Sequence, residues 1–263
     1  MTFCPEGRIL SSVSVDCERE TGGKLKNNNR IALLIDCDNV SHTAIEGVLE
    51  ELANYGKVNI RHAHGDWNSS HLNGWKEKLH PFAIRPIQQF AYTTGKNATD
   101  SAMIIDAMDL LYSNNVDAFA LMTSDSDFTP LVLRILESGM TVYGFGEKKT
   151  PEPFVHACSQ FIYTENLQKA EDEPNNGSNK LQKTRNELRG DTWLVSLLRT
   201  AVEQSSNEDG WSPLSRVGLY ISNNSSFSPI NYGFKKLKDL MKVSELFEME
   251  MKNTAIYVRD KRK

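Results

Sequence analysis

The chain has 263 residues, 39% of them hydrophobic and 24% charged, and a net charge of −4, figures ordinary for a globular protein of two domains or one large one. No stretch is apolar enough to span a bilayer, and residues 1–29 lack the apolar core of a signal peptide, which points away from membranes and toward a cytoplasmic location. Cys4, Cys17, Cys37 and Cys158 show no C-x-x-C spacing, so neither a zinc site nor a disulfide framework is expected.

Residues 1–29 are polar, with Thr21-Gly-Gly and Asn27-Asn-Asn, and read as a disordered leader. From Arg30 to about Leu167 strand-like and helix-like segments alternate. Strands are predicted at 31–35, 57–64, 83–90, 117–123, 140–145 and 160–164, and helices at 41–54, 69–79, 99–113, 129–138 and 151–158. Pro130 near the start of its helix and Gly139 just past its end are the usual punctuation. Such alternation predicts an α/β fold, a mainly parallel sheet with helices on both faces. Residues 168–187 have almost nothing to bury and read as a flexible linker.

Beyond the linker the pattern changes. Trp193, Leu194, Leu197, Leu198 and Val202 form an apolar stripe on one helix, Trp211-Ser-Pro-Leu opens a second running to about Ile221, and 230–242 forms a third. Phe247, Met249 and Met251 then alternate with charged residues, and Ile256-Tyr-Val258 follows a polar turn. Three helices closed by a hairpin describe a small winged-helix domain over 188–260. Residues 188–263 hold 12 Lys/Arg against 9 Asp/Glu, leaving +3, whereas 1–187 hold 18 against 25, leaving −7. An acidic front with a mildly basic back fits a metal-binding domain joined to a nucleic-acid reader.

Acidic residues fall where the predicted sheet would gather them. Asp36 and Asp38 end the apolar run Ile31-Ala-Leu-Leu-Ile35, Asp125 and Asp127 follow Phe119-Ala-Leu-Met122, and Asp100 opens the 99–113 helix on its inward stripe of Met103, Ile104, Ala107, Leu110 and Leu111. Open parallel sheets bind ligands outside the carboxyl ends of their strands. Carboxylates gathered there repel one another until something positive neutralises them, and Mg²⁺ or Mn²⁺ suits oxygen ligands. Each acid also has an ordinary reading. Asp100 suits the dipole of a first helical turn, and Asp125 or Asp127 could cap the helix near Thr129. Asp36 has the least local excuse. Asn39 could add a neutral oxygen or orient a water. Asp106 and Asp109 lie off the stripe and are expected to face solvent, although Asp106 could brace the site from its shoulder. His62 and His64 share one strand face but lack a third ligand, so structural roles are expected for both. His156 is a weaker candidate still. Nucleotide-cradling glycine loops and Ser or Cys nucleophile arrangements are absent.

Ile35-Asp-Cys-Asp-Asn39, His64-Gly-Asp-Trp67, Gly95-Lys-Asn-Ala-Thr-Asp100, Asp106-Ala-Met-Asp-Leu-Leu111 and Ser124-Asp-Ser-Asp-Phe128 follow in the order seen in NYN domains. These belong to the PIN-like nuclease superfamily, and the chain resembles its LabA-like branch over roughly Arg30 to Leu167. The resemblance implies a PIN-like, Rossmannoid fold and a Mg²⁺- or Mn²⁺-dependent ribonuclease. Residue by residue it implies metal-holding Asp36, Asp100, Asp125 and Asp127, with Asp66 added to the catalytic set. Asn39, Lys96 and Ser124 would contact substrate, Lys96 by holding a phosphate. Asp209-Gly-Trp-Ser-Pro-Leu-Ser-Arg-Val-Gly218, Tyr232-Gly-Phe-Lys-Lys-Leu-Lys-Asp-Leu240 and Ala255-Ile-Tyr-Val-Arg259 resemble an OST-HTH/LOTUS domain, which implies binding of RNA or of a protein partner. Lys235, Lys236, Lys238 and Lys242 are its candidate contacts, and a solvated helix face is their ordinary alternative. Two rival readings stand beside the ribonuclease: a catalytically silent RNA-binding adaptor, and a haloacid-dehalogenase-like phosphatase with Asp36 of Asp36-Cys-Asp38 as nucleophile.

Overall fold

Strands β1 (Arg30–Asp36), β2 (Lys57–Gly65), β3 (Arg85–Gln88), β4 (Ala118–Met122), β5 (Thr141–Gly146) and β6 (Gln160–Tyr163) form one sheet in the order β3-β2-β1-β4-β5-β6. Every neighbouring pair is parallel. This is a computed structural model, and it describes residues 29–88, 98–168 and 182–262. The leader and most of the linker therefore lie outside the described residues, as do Lys96 and positions 89–90 of the third expected strand. That strand starts later than its apolar run because Ala83 sits in left-handed backbone at φ 50° and Ile84 closes the preceding turn onto the Leu79 carbonyl.

Side-chain alternation along β1 explains why both sheet faces are covered. Ile31, Leu33, Ile35 and Cys37 pack into one core with Ile45, Val48 and Leu52 of α1 (Ile45–Leu52) and Trp75 of α2 (Asn73–Leu79). Ala32 and Leu34 face the other way. They meet Met103, Ala107 and Leu111 of α3 (Ala98–Tyr112), Leu131, Val132 and Ile135 of α4 (Thr129–Glu137), and Phe154 of α5 (Glu152–Ala157). Fully burying such side chains contributes roughly 1.5–3 kcal/mol each, and a strand apolar on both sides has no stable place except inside a sandwich of helices.

The loops leaving β1, β2 and β4 share one device. Each runs into a short 3-10 turn whose N-cap side chain accepts a backbone N–H: Ser41 from Thr43, Ser69 from His71, and Asp125 from Asp127. The α-helices proper consequently begin at Ile45 and Asn73, a few residues after the expected starts. Past α4, Gly139 takes φ 79°, the left-handed conformation that ends a helix.

The second module consists of α6 (Arg185–Gly190), α7 (Thr192–Ser205), β7 (Ser212–Pro213), α8 (Leu214–Asn224), α9 (Leu237–Ser244), β8 (Phe247–Lys252) and β9 (Ala255–Asp260). Its sheet is antiparallel in the order β7-β9-β8. The sequence pattern missed α6, which a Thr184–Glu187 capping box starts. It also missed β7, which takes Ser212 and Pro213 out of the expected second helix. On α7 the buried stripe is Leu194, Leu198, Ala201 and Val202, while Trp193 is 47% exposed.

The modules touch along β6, the edge of the large sheet. Phe161 N–H donates to the Ser226 carbonyl at 2.9 Å, Asn231 Nδ2 donates to the Phe161 carbonyl at 2.9 Å, and Tyr163 N–H donates to Asn231 Oδ1 at 3.0 Å. Ile230 packs onto the first core. One short segment thus satisfies backbone groups that an open edge would leave unpaired.

Candidate active site

β1 and β4 are neighbours in the sheet, but the chain leaves them in opposite directions, so a crevice opens at their carboxyl ends. Asp36 stands there as the last residue of β1, fully buried, on the α3 side of the sheet. Thr123 Oγ1 donates to its Oδ2 at 2.7 Å, and Asn39 Nδ2 donates to the same oxygen at 2.9 Å. Its Oδ1 is buried with no hydrogen-bond partner. Burial pushes the Asp36 carboxyl above its ordinary range, against the two hydrogen bonds and with the help of Asp38 and Asp125. The Thr123 backbone is in turn tied to the Phe145 carbonyl at 2.9 Å. A Cβ on Gly146 would come within 2.6 Å of the Thr123 carbonyl, so only glycine allows β5 to lie this close.

Asp100 enters from the first turn of α3. Its carboxyl is pushed up to about 6 by burial and then by the charges of Asp36, Asp125, Asp127 and Asp38. The direction of that shift fits carboxylates from the ends of β1 and β4 and from α3 lying within reach of one another's charge. Thr99 Oγ1 donates to Asp38 Oδ2 at 3.2 Å and ties α3 to the loop after β1. Asp125 N–H donates to Thr123 Oγ1 at 3.1 Å, and Asp125 Oδ1 accepts from Asp127 N–H at 2.9 Å. Asp125 is therefore a turn cap and a member of the cluster at once.

Other sequence candidates are occupied elsewhere. Asp66 accepts from Gln88 Nε2 at 2.9 Å and from Asn68 N–H at 3.2 Å, an arrangement that closes the turn after β2. Ser124 Oγ accepts from Glu147 N–H at 2.9 Å and anchors the loop after β5. Lys235, Lys236, Lys238 and Lys242 are all exposed, at and just before α9. Both described cysteines, Cys37 and Cys158, are buried, free of any disulfide and shifted up by that burial, which keeps them as inert thiols.

Asp106 departs from expectation. It does not face solvent: its Oδ2 lies 2.7 Å from His62 Nδ1 and 3.0 Å from His64 Nε2, with the Asp106 side chain 20% exposed. Burial pushes this carboxyl up, but contact with the two imidazoles more than offsets it and holds the group below the ordinary carboxylate range. His64 is fully buried and is the register partner of Asp36. The histidines thus have the structural partner that the sequence did not disclose, one strand away from the acidic cluster.

Among the described residues, no group of three His, Cys, Asp or Glu side chains is arranged so that it could hold a metal ion. The chemistry of the cluster nevertheless suits a hard divalent cation, since it offers carboxylate oxygens under mutual repulsion, one of them buried without a partner.

The NYN domain model matches residues 30–167 and the OST-HTH/LOTUS domain model matches residues 189–258. An uncharacterized protein of Methanocaldococcus jannaschii is 29% identical over 131 residues, which cover 48% of this chain and 51% of that protein. The chain thus spans about half the length of the curated relative it matches. A solved Vibrio parahaemolyticus protein of unknown function shares 19% identity, with a TM-score of 0.45 over 54% of this chain and 96% of that one. An uncharacterized Nitrosomonas europaea protein shares 27%, with a TM-score of 0.26 over 36% and 90%. With an NYN match over more than half its length and the acidic crevice at the switch point of its sheet, the chain belongs to the NYN family of PIN-like domains and carries an OST-HTH/LOTUS domain behind it.

Proposed function

We propose that the protein is a divalent-metal-dependent ribonuclease that hydrolyses RNA phosphodiester bonds, with its LOTUS module engaging RNA or a protein partner. The observation that carries the reading is the buried Asp36 carboxylate at the crevice, with Oδ2 held by Thr123 and Asn39 and Oδ1 without a partner, near enough to Asp100 that its charge helps push that carboxyl up. Such crowding costs stability without a cation and is suited to one. Asp36, Asp100, Asp125 and Asp127 would hold it. A divalent cation supplies positive charge that activates an attacking water and stabilises the charge gathering on the phosphate. The chain's own contribution is placement. Thr123 and Asn39 fix the Asp36 carboxylate by hydrogen bonds to one oxygen and leave the other for the site. Ser124 and Asp66 brace the surrounding loops through the hydrogen bonds they accept, and would meet substrate only with their remaining donor and acceptor positions.

The phosphatase alternative fares poorly. It leaves unexplained Asp100 crowding Asp36 from α3, and the NYN match over residues 30–167 supports the nuclease instead. The adaptor reading keeps one observation in its favour, the lack of a preformed trio of metal-holding side chains among the described residues.

End-labelled single-stranded and structured RNAs and DNAs, incubated with Mn²⁺, Mg²⁺ or EDTA, separate the two. The ribonuclease reading predicts metal-dependent RNA cleavage that falls about 100-fold or more in Asp36→Asn. RNA binding without cleavage in every metal, unchanged in that variant, would leave the adaptor.

A further inference from the structure

We propose that the hollow on the other side of β1 from the acidic cluster receives a base of single-stranded RNA, the one adjoining the cleaved phosphate. This inference rests on the ribonuclease reading and extends it to how substrate is held.

Three loops at the carboxyl ends of the strands enclose a cavity of about 410 Å³, lined among others by Asn39, Ser41, His42, His71, Trp75 and Lys149. They follow β1, β2 and β5, so the cavity opens on the same edge of the sheet as the carboxylates. Asp36 faces the α3 side, whereas Cys37, one residue on, belongs to the α1 and α2 core and lines the hollow. Two residues join the two places. Asn39 donates to Asp36 and lines the cavity, and Asp38 lines it while its charge acts on Asp100. A chain crossing the edge of β1 would therefore have its phosphate at the cluster and its next base in the hollow.

Size and charge favour a base over other occupants. The volume lies toward the lower end of the roughly 300–1,000 Å³ that small-molecule sites span, enough for one nucleoside and too little for a duplex. Asp38 and Glu147 also line it and would repel a phosphate, but not a neutral heterocycle. The wall is built in advance, with Trp75 almost wholly buried behind it and the part-exposed His42 ring left to meet the base. The His42 and Trp75 rings meet edge to face at 6.3 Å, and Trp75 Nε1 donates to the Val40 carbonyl at 3.1 Å. A side chain on Gly74 would collide with the His42 ring, so the glycine makes room for it. Lys149 stands at the rim with its side chain 69% exposed, paired to Glu147 at 2.9 Å. An exposed pair of this kind holds weakly, which leaves the ammonium able to turn to a backbone phosphate.

The test uses the full chain and a single-stranded oligoribonucleotide carrying 4-thiouridine, irradiated in EDTA so that binding is read without turnover. Cross-links are expected on the segments 37–42 and 71–75. The double variant His71→Ala/Lys149→Ala, both residues exposed and its folding checked by thermal unfolding, should lose those cross-links. It should also raise KM for RNA about tenfold, the equivalent of one weak stacking or phosphate contact, and raise KM more than it lowers kcat. Cleavage by the wild type with cross-links confined to the second module, and an unchanged KM in the variant, would overturn the subsite while leaving the ribonuclease standing. Cross-links at 37–42 and 71–75 with no cleavage in any metal would keep the base site and sink the ribonuclease.

Discussion

At the scale of single residues, the cluster acts on its own protonation. The Asp100 carboxyl binds its proton more tightly in the folded chain than in the unfolded one, with a value of about 6 against an ordinary value near 4. Its contribution to stability is therefore full below about pH 4 and is lost as the pH rises through about 6. Asp106 runs the other way, contributing above the ordinary carboxylate range and losing that contribution as the pH falls through its lowered value. Asp100→Asn in the metal-free protein is accordingly expected to gain about 1 kcal/mol at pH 7, discounted for the group's partial exposure, or roughly 2 °C in Tm. The gain should fade toward pH 4, and thermal unfolding across that range checks it. Asp106→Ala should cost about 2 kcal/mol, because it removes the hydrogen-bond partner of His62 and the charge contact of the buried His64. Chemical denaturation measures that loss, and a neutral outcome would show that the imidazoles find other partners. Asp36 and Asp125 were legible as candidates because each follows an apolar strand run, and Asp100 because it opens an apolar-periodic helix on its inward stripe. The role of Asp106 was not legible. Its partners lie more than 40 residues upstream on β2, and helix phase alone placed it toward solvent.

Elements were legible where pattern and packing agree. β1, β4 and β5 are near-continuous apolar runs, and across the sheet the expected spans differ from the observed ones mainly at their ends. Helix starts were misjudged because Ser41 and Ser69 cap 3-10 turns first. The approach of β5 to the end of β4 is exacting and sits beside the site. Gly146→Ala would push a methyl onto the Thr123 carbonyl, so a loss of about 2 kcal/mol is expected, together with loss of the Thr123 hold on Asp36. The docking of the second module on β6 was invisible in the sequence, since Asn231 lies about 70 residues from the strand whose backbone it bonds. Asn231→Ala should leave the Phe161 carbonyl and the Tyr163 amide without partners, costing about 1–3 kcal/mol. Faster hydrogen exchange at Tyr163 with unchanged exchange at β1 would mark the loss as local. Equal acceleration throughout would show the two modules unfolding as one.

Across the whole molecule, an acidic α/β module with its carboxylates at the sheet's switch point is joined to a mildly basic winged-helix module that exposes Lys235, Lys236, Lys238 and Lys242. Among the described residues no helix is long and apolar enough to cross a membrane. Fold class and family were readable from periodicity and motif order, and the edge-on contact of the modules emerges only when β6 and the 226–231 segment are placed together. The central claim is that the crevice carboxylates form a cation site, and calorimetric titration of the metal-free chain with Mn²⁺ tests it most directly. Binding should displace the Asp100 proton, so titrations at pH 6 in buffers of different ionisation enthalpy should show release of about half a proton per site. Release should fall toward zero at pH 8, and the affinity should drop in Asp100→Asn. Mn²⁺ binding that is absent, or equally tight in Asp100→Asn with no proton released at pH 6, would contradict the account.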